Sequence, residues 1–265
     1  MTEQTNADTN PEDEYHPALV TLLELLWGDG FLSPGGATAV EAIVAGLDLR
    51  GQTVLDIGCA LAGCDLLLVG KFGAQVIGLD IEPALIEGGR ERVAKAGLTD
   101  QVELRLVTPG PLPLAEASVE VVFGKDSWIH IEDKRSFFAE VYRVLKPGGL
   151  LAASDWLRSD QPYSEDMRYF FQMEGLTYHM DTLENYGAIL RDSGFVEVQL
   201  VDTSREYHAL AWEEYRRMQG PLAATMVELL GEEMRAYYLE NWRALTVVLD
   251  NGELRTGRMR ARKPA

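Results

Sequence analysis

The sequence predicts an α/β fold: a Rossmann-like, doubly wound and mainly parallel seven-stranded sheet with an antiparallel last strand, plus added helices. From residue 52 onwards, strand-like segments alternate with amphipathic helical segments, which is typical of consecutive βα units. The strand-like segments are almost continuously apolar, as expected for strands that a parallel sheet buries on both faces. The final segment, "TGRMRARK", alternates in polarity and predicts an antiparallel strand at the edge of the sheet.

Each element has its own local signal. The strand "TVLDIG" leads into the helix "LAGCDLLLVGKFG", which Gly73 closes, and "AQVIGLDI" is the second strand. The next helix, "PALIEGGRERVAKAG", opens with proline and closes with glycine. The strands "QVELRLV" and "SVEVVFG" flank a proline-rich loop, and the helix "DKRSFFAEVYRVL" ends at a Pro-Gly-Gly turn before the strand "LLAASDW". The helix "TLENYGAILRDSGF" and the strand "VEVQLVD" then precede the last strand.

The chain contains no internal repeat and no linker rich in proline, glycine or serine, so residues 14–265 are predicted to form a single domain. Residues 1–13 are polar and acidic and are predicted to be a disordered leader rather than a signal peptide. Helices are predicted over residues 14–48, before the sheet. Two further helical insertions, over residues 158–181 and 208–250, are predicted to form a cap.

Composition narrows the range of partners. The formal net charge is −18, from 42 acidic and 24 basic residues, so the surface repels nucleic acid and anionic lipid. No apolar run approaches the roughly 18 residues of a membrane span. A compact substrate, cationic or zwitterionic, fits this charge better. The two cysteines, Cys59 and Cys64, form neither a metal-site pattern nor a disulfide framework, which predicts a reducing cytoplasm and no metal.

The first predicted βα turn has the outline of a nucleotide-cofactor site. Asp56 and Gly58 belong to this turn, and Asp80 ends the second strand, where a carboxylate can bind both hydroxyls of a ribose. A dinucleotide site requires G-x-G-x-x-G, so that the helix N-terminus can approach a pyrophosphate. Here the string is "GCALAG", with no glycine between its two ends. The dinucleotide reading is therefore disfavoured.

These strings resemble the motifs of the class I S-adenosylmethionine (SAM) methyltransferases. The lead-in "LDIGC" resembles their motif D-x-G-x-G-x-G, "VIGLDI" their ribose-binding motif, and "RVLKPGGLLAASD" their post-sheet motif. The resemblance implies SAM as cofactor and S-adenosylhomocysteine as product, with Asp56, Gly58, Asp80 and Ile81 as contacts.

The chain departs from the family pattern at three positions. Ala60 and Ala62 stand where the motif has glycines, and Thr108 replaces the acid that usually meets the adenine amine. If position 60 requires a positive φ, alanine there costs on the order of 1 kcal/mol. If it requires only closeness, the methyl group displaces the methionyl part of the cofactor. Thr108 still provides a hydrogen-bond acceptor.

Within that superfamily, roughly residues 13–200 resemble the phosphoethanolamine N-methyltransferases and related small-amine methyltransferases. The segment "LWGDGFLSPGG" is similar to their lid, which implies that Leu32 and Ser33 close over the cofactor. Lys125 occupies the place of a family arginine near the cofactor. The string "DSWIHIEDK" is the most specific match, and it implies that His130 pairs with Tyr15 to latch the lid and take a proton from the amine.

The acceptor is predicted to differ from phosphoethanolamine. The family binds the phosphate with an arginine in the helix after strand five, and the matching stretch here, residues 172–176, contains no basic residue. Trp156, Phe171 and Tyr178 are predicted instead to form an aromatic pocket able to hold a methylated ammonium. Methylation of an amine nitrogen is therefore favoured over sulfur or oxygen. Two alternatives stay open: a SAM-fold enzyme that uses an altered cofactor for another reaction, and a non-catalytic binding protein.

Overall fold

The computed structural model describes residues 15–265, so the predicted leader over residues 1–13 lies outside the described residues. Two helices precede the sheet. The first, α1 (Pro17–Trp27), begins at a His16 cap whose Nδ1 accepts a hydrogen bond from the backbone N–H of Ala18 at 3.2 Å. The second, α2 (Gly36–Ile43), follows the segment of residues 26–36, here called the lid segment.

A seven-stranded sheet forms the centre of the described chain, as the sequence predicts. Its strands are β1 (Thr53–Ile57), β2 (Gln75–Asp80), β3 (Val102–Leu106), β4 (Val119–Lys125), β5 (Leu145–Arg158), β6 (Val196–Asp202) and β7 (Leu254–Arg262). The order is β3-β2-β1-β4-β5-β7-β6, and the pairs from β3 through β5 are parallel. The carboxyl ends of β1, β2 and β4 therefore meet at one edge of the sheet.

The last strand is antiparallel, but the prediction that it forms the edge is wrong. β7 pairs with β5 on one side and with β6 on the other, so β6 is the edge strand. The arginines that suggested an exposed strand are satisfied inside the protein. The guanidinium of Arg260 donates to the carbonyl of Ile43, and that of Arg262 donates to the carbonyl of Gly148 at 2.7 Å. Hydrogen bonding thus lets a basic strand lie within the sheet.

The remaining helices cover the two faces and the carboxyl edge of the sheet. They are α3 (Gly63–Phe72), α4 (Pro83–Lys95), α5 (Lys134–Val144), α6 (Glu165–Glu174), α7 (Leu183–Asp192), α8 (Ser204–Gln219) and α9 (Ala223–Asp250). Helix occupies only the middle of the predicted insertion over residues 158–181. The predicted 208–250 insertion is two helices that start at Ser204, and α9 is interrupted at Gly231, where φ is +78°.

One hydrophobic core joins the N-terminal helix to the cap helices. It combines Leu22 and Leu26 of α1 with Phe170 of α6 and with Trp242 and Leu245 of α9. Because these side chains exclude water together, α1 packs against the cap rather than against the sheet. Across the described part of the chain, no helix is long and apolar enough to cross a membrane.

Candidate active site

The turn after β1 brings the backbone unusually close to the loop after β4. Gly58 has φ of +90°, and the N–H groups of Gly58 and Cys59 both donate to the carbonyl of Leu79, at 2.8 and 3.0 Å. A Cβ atom on Gly58 would lie 2.4 Å from the side chain of Ser127. Only glycine fits both the conformation and the space.

Ala60 and Ala62 both adopt the left-handed conformation that the motif normally reserves for glycine. Their φ angles are +46° and +65°. The sequence alone left two possible reasons for glycine at position 60, a positive φ or close approach to the cofactor. The structure shows a positive φ, which costs alanine about 1 kcal/mol. The strained backbone presents the N–H of Ala60 to Oδ2 of Asp80 at 2.8 Å. Strain of this kind concentrates at functional loops.

The end of β2 has the chemistry of an adenosine site. Asp80 also accepts from the backbone N–H of Glu82 at 3.0 Å, which fixes the orientation of its carboxylate. Beside it, Ile81 and Leu106 are 50% and 49% exposed, and Thr108 is exposed at the end of β3. An anchored carboxylate flanked by exposed apolar side chains suits a ribose with a flat base. These residues therefore fit the nucleoside part of SAM.

Asp56 lies beneath the turn rather than in the open cleft. Its side chain is buried next to that of Asp65, the first-turn acid of α3. Within residues 15–265, neither carboxyl group accepts a hydrogen bond from any other donor. Burial and the charge of Asp65 raise the pKa of Asp56 well above its usual range, and burial raises the pKa of Asp65 to about 7. The cofactor-binding role of Asp56 stays a prediction.

Lys125, at the end of β4, connects the sheet to the lid segment. Its ammonium donates to Ser33 Oγ at 2.5 Å and to the carbonyl of Pro34 at 2.8 Å, and it lies 3.1 Å from Oδ2 of Asp126. The lysine side chain is only 2% exposed. Leu32 packs against the core shared by α1 and the cap. The lid segment is therefore held by a buried cation and by apolar contact.

Asp126, the next residue, is a second strained position. It has φ of +59°, unusual for a residue other than glycine. Its N–H donates to the carbonyl of Ser154 at 2.9 Å, while its Oδ1 accepts from Ser154 Oγ at 2.7 Å. Paired hydrogen bonds to β5 hold the turn that follows β4. Asp126 and Trp156 also line a cavity of about 330 Å³ between α2, α8 and the sheet.

A short 3₁₀ turn, Trp128–His130, positions the predicted catalytic histidine. The buried carboxylate of Asp155 accepts from the backbone N–H of Ile129 at 3.1 Å and from the hydroxyl of Tyr186. The ammonium of Lys134 donates to the carbonyls of Trp128, Ile131 and His179, at 3.1, 2.9 and 2.8 Å. Trp128 itself is a core residue. The turn is fastened at both of its ends.

His130 is exposed to water. Nδ1 lies 3.3 Å from the carbonyl of Thr177, and the ring centroid lies 5.5 Å from that of Tyr178. Desolvation by the surrounding atoms, with the charges of Lys134 and His179, lowers the pKa of His130 below 6.5. The imidazole is therefore neutral near pH 7 and able to accept a proton.

Tyr15 is half-buried at the start of the described chain. Burial and the charge of Glu174 raise the pKa of Tyr178, and the charge of Tyr15 adds to this increase. The two tyrosines are therefore close enough to interact. Since Tyr178 neighbours His130, the structure brings Tyr15 to the same region as the histidine. A direct contact between Tyr15 and His130 stays a prediction.

Aromatic side chains continue from His130 into the protein. Trp156 lies 6.3 Å from Tyr178 and 5.6 Å from Tyr207, and Phe171 lies 5.6 Å from Tyr178, measured between ring centroids. We call these four residues the aromatic cluster. The sequence singled out three of them as a pocket. It missed Tyr207, because no local signal connects α8 with β5 across fifty residues.

The sequence reading also missed the residues that support the site from behind. Asp155 lies in the post-sheet motif, and Lys134 ends the string "DSWIHIEDK", yet neither received a role. A buried lysine or aspartate needs several hydrogen-bond partners, and those partners come from elements distant in sequence. Charged residues inside an otherwise apolar pattern were the available signal. Glu174 lies within residues 172–176, where the sequence analysis considered only the missing basic residue.

Comparison with known proteins agrees with this geometry. The family model described as a methyltransferase domain matches residues 55–153. Phosphoethanolamine N-methyltransferase 1 of Arabidopsis thaliana is 30% identical over 207 residues, covering 78% of this chain and 41% of that protein. Arsenite methyltransferase of Halobacterium salinarum is 35% identical over 185 residues, covering 67% of this chain and 46% of that protein. The chain thus spans less than half the length of these curated relatives.

Among solved structures, phosphoethanolamine N-methyltransferase 2 of Haemonchus contortus superposes with a TM-score of 0.89 at 23% identity. The match covers 96% of this chain and 59% of that one, whose structures hold SAM in one case and S-adenosylhomocysteine with phosphomonomethylethanolamine in the other. The chain belongs to the class I SAM-dependent methyltransferases. Within that class, it is similar in sequence and fold to the phosphoethanolamine N-methyltransferases.

Proposed function

We propose that this chain transfers a methyl group from SAM to the amine nitrogen of a small molecule, with His130 as proton acceptor and Tyr15 as its lid-latching partner. The single observation that carries the proposal is the neutral, accessible imidazole of His130 beside the aromatic cluster, at the same sheet edge as the Asp80 site. Similarity to the phosphoethanolamine N-methyltransferases supports nitrogen as the acceptor atom.

When bound, SAM supplies an electrophilic methyl group on a sulfonium sulfur, and the remaining reaction requirements fall to the protein. Asp80, Ile81 and Thr108 would hold the adenosine. Lys125 would keep Ser33 and the lid segment closed, which excludes water and aligns the reactants.

The acceptor must expose a nitrogen lone pair, and a protonated amine has none. In our proposal, Nε2 of His130 takes this proton, since Nδ1 faces the carbonyl of Thr177. The 3₁₀ turn held by Asp155 and Lys134 would keep the ring in place during the transfer. Trp156, Phe171 and Tyr178 would bind the apolar and cationic parts of the acceptor.

Two measurements test the proposal. Calorimetric titration with S-adenosylhomocysteine should show binding, and a complete lack of binding at high micromolar ligand would rule out a methyltransferase. Incubation with isotopically labelled SAM and a panel of amines, thioethers and phenols should then label amines preferentially. Label only in thioethers or phenols, or cofactor consumption without methyl transfer, would favour the alternatives. Replacing the half-buried His208, which pairs with Asp250 on α9, with Asn provides a control for the corresponding change at His130.

A further inference from the structure

Glu174 places a carboxyl group in the region where relatives of this chain are expected to hold a phosphate. Burial raises the pKa of this carboxyl group, and hydrogen bonds from Tyr178 and Asn241 act in the opposite direction. Glu174 ends α6 and is half-buried. The hydroxyl of Tyr178 donates to its Oε2 at 2.8 Å, and the side chain of Asn241 is its other hydrogen-bonding neighbour. Both partners are neutral. In residues 15–265, no lysine, arginine or histidine nitrogen forms an ion pair with Glu174.

The basic residues that could replace the missing phosphate-binding arginine are engaged elsewhere or exposed. Arg243, on α9, makes two hydrogen bonds of 2.7 Å to the carboxylate of Glu240, whose Oε1 also accepts from Tyr169. Arg168 is exposed on the surface of α6. An anionic phosphate in this pocket would therefore meet a carboxylate without a compensating cation.

Other carboxyl groups lie near the aromatic cluster. The charges of Glu214, Glu174 and Asp126 all raise the pKa of Tyr207, after burial, so three carboxylates surround this member of the aromatic cluster. Glu214 accepts from two tryptophan indole groups, at 2.5 and 3.1 Å, and the charges of Arg217 and Lys125 act on it, while Asp126 lies beside Lys125. Among the three, Glu174 is therefore the carboxyl group with only neutral hydrogen-bond partners, and its position next to aromatic faces favours a cation.

The charge that Glu174 recognises must be separate from the reacting amine. A carboxylate bound to the reacting nitrogen would stabilise its ammonium form and oppose the loss of a proton to His130. Tyr178 separates the two groups: its ring lies 5.5 Å from the His130 ring, and its hydroxyl hydrogen-bonds Glu174. A molecule that spans this tyrosine can place a neutral amine at His130 and a second, positive nitrogen at Glu174.

We infer that the acceptor is a small diamine, or an amine carrying a second ammonium group, and that Glu174 determines this specificity. The inference rests on the proposed methyltransferase function and names the substrate class of its site. Phosphate-bearing amines are excluded by charge. Glu174 acts by binding the distal ammonium of the acceptor, and the aromatic cluster surrounds the carbon chain between the two nitrogens.

Binding and transfer assays with matched amines test the inference. The probes are diaminobutane, butylamine with the same carbon chain and one nitrogen, and phosphoethanolamine. Wild-type protein loaded with S-adenosylhomocysteine should bind diaminobutane about tenfold or more tightly than butylamine, because only the diamine forms the charge-assisted pair. With labelled SAM, kcat/KM should follow the same order. Equal affinity for the two amines, or preference for phosphoethanolamine, overturns the inference.

The variant Glu174→Gln keeps the size of the side chain and a partner for Tyr178. It should lower affinity for diaminobutane about tenfold while changing that for butylamine by less than about twofold. The control Glu165→Gln removes an exposed carboxylate from the same helix and should change neither. Equal losses for both amines would mean that Glu174 acts only in folding. Glu174→Arg should shift preference towards phosphoethanolamine.

The two proposals fail in different ways. Methyl transfer to butylamine and diaminobutane with equal efficiency keeps the methyltransferase function and removes the role of Glu174. Absence of transfer to any amine contradicts the proposed function, while the calorimetric comparison of the two amines still decides whether Glu174 binds a second cation.

Discussion

The ammonium of Lys125 lies 2.5 Å from the hydroxyl of Ser33, and this contact joins the end of β4 to the lid segment. Lys125 also donates to the carbonyl of Pro34 and neighbours Asp126. One buried cation thus connects the lid segment to the carboxyl end of β4.

Replacing Lys125 with Met should open the lid segment and weaken cofactor binding. The change leaves Asp126 without its cation, which in a buried pair costs about 3 kcal/mol of unfolding free energy. Affinity for S-adenosylhomocysteine should fall, and limited proteolysis should cut within residues 26–36. Lys146→Met, which removes a lysine that is 42% exposed and paired with Glu120, is the control. Unchanged proteolysis in the Lys125 variant would contradict a lid held by this residue.

Replacing Ala60 with Gly should stabilise the protein. Because φ at this position is +46°, glycine removes strain of about 1 kcal/mol, and urea unfolding should show the gain. The control is Ala94→Gly in α4, where the backbone is helical and glycine should cost about 1 kcal/mol. The two substitutions should therefore change the free energy of unfolding in opposite directions. A loss of stability at position 60 would mean that the loop does not hold this conformation.

The pH dependence of methyl transfer should report the protonation of His130. The pKa of His130 lies below 6.5, so the neutral imidazole is lost only as the pH falls through this lowered pKa. We therefore expect kcat/KM to fall on the acid side of a plateau near pH 7. His130→Asn should remove this limb and lower kcat about a hundredfold or more, with little change in affinity for S-adenosylhomocysteine. If the acidic decrease in kcat/KM persists in the variant, it belongs to another titrating group, such as the amine substrate itself.

The buried pair of Asp56 and Asp65 should make the protein less stable as the pH rises. Burial raises the pKa of Asp65 from 3.8 to about 7, so between these values the folded chain holds a proton that the unfolded chain has released. The unfolding free energy then falls with pH, by up to about 1.4 kcal/mol per pH unit for one group. Asp65→Asn should flatten this slope, measured by urea unfolding from about pH 4 to pH 8. Asp100→Asn, at an exposed site, should leave the slope unchanged.

Much of the fold could be predicted from local patterns. The strands near the centre of the sheet are continuous apolar runs, and helices such as α4 carry their own start and stop residues, so their positions need no knowledge of the rest of the chain. The placement of β7 could not be predicted this way. Its arginines resemble those of an edge strand, and only the folded chain shows that two of them donate to the carbonyls of Ile43 and Gly148.

The site divides in the same manner. Candidate site residues that match a motif, such as Gly58 and Asp80, could be proposed from their spacing. Glu174 and Tyr207 could not, because their significance arises from neighbours that the folded chain brings from α8, β5 and the loop before α7.

The sequence by itself determined the fold class and the cofactor class, since hydrophobic periodicity and the glycine and aspartate spacing of the first turn are local properties. Only the tertiary structure decided that Ala60 is strained and that Lys125 contacts the lid segment. It also decided that Glu174 lies near Tyr207 and that, within residues 15–265, no basic side chain forms an ion pair with Glu174. Backbone angles and the balance of buried charge depend on which elements pack together. The acceptor specificity that we propose depends on that balance, which the chain acquires only on folding.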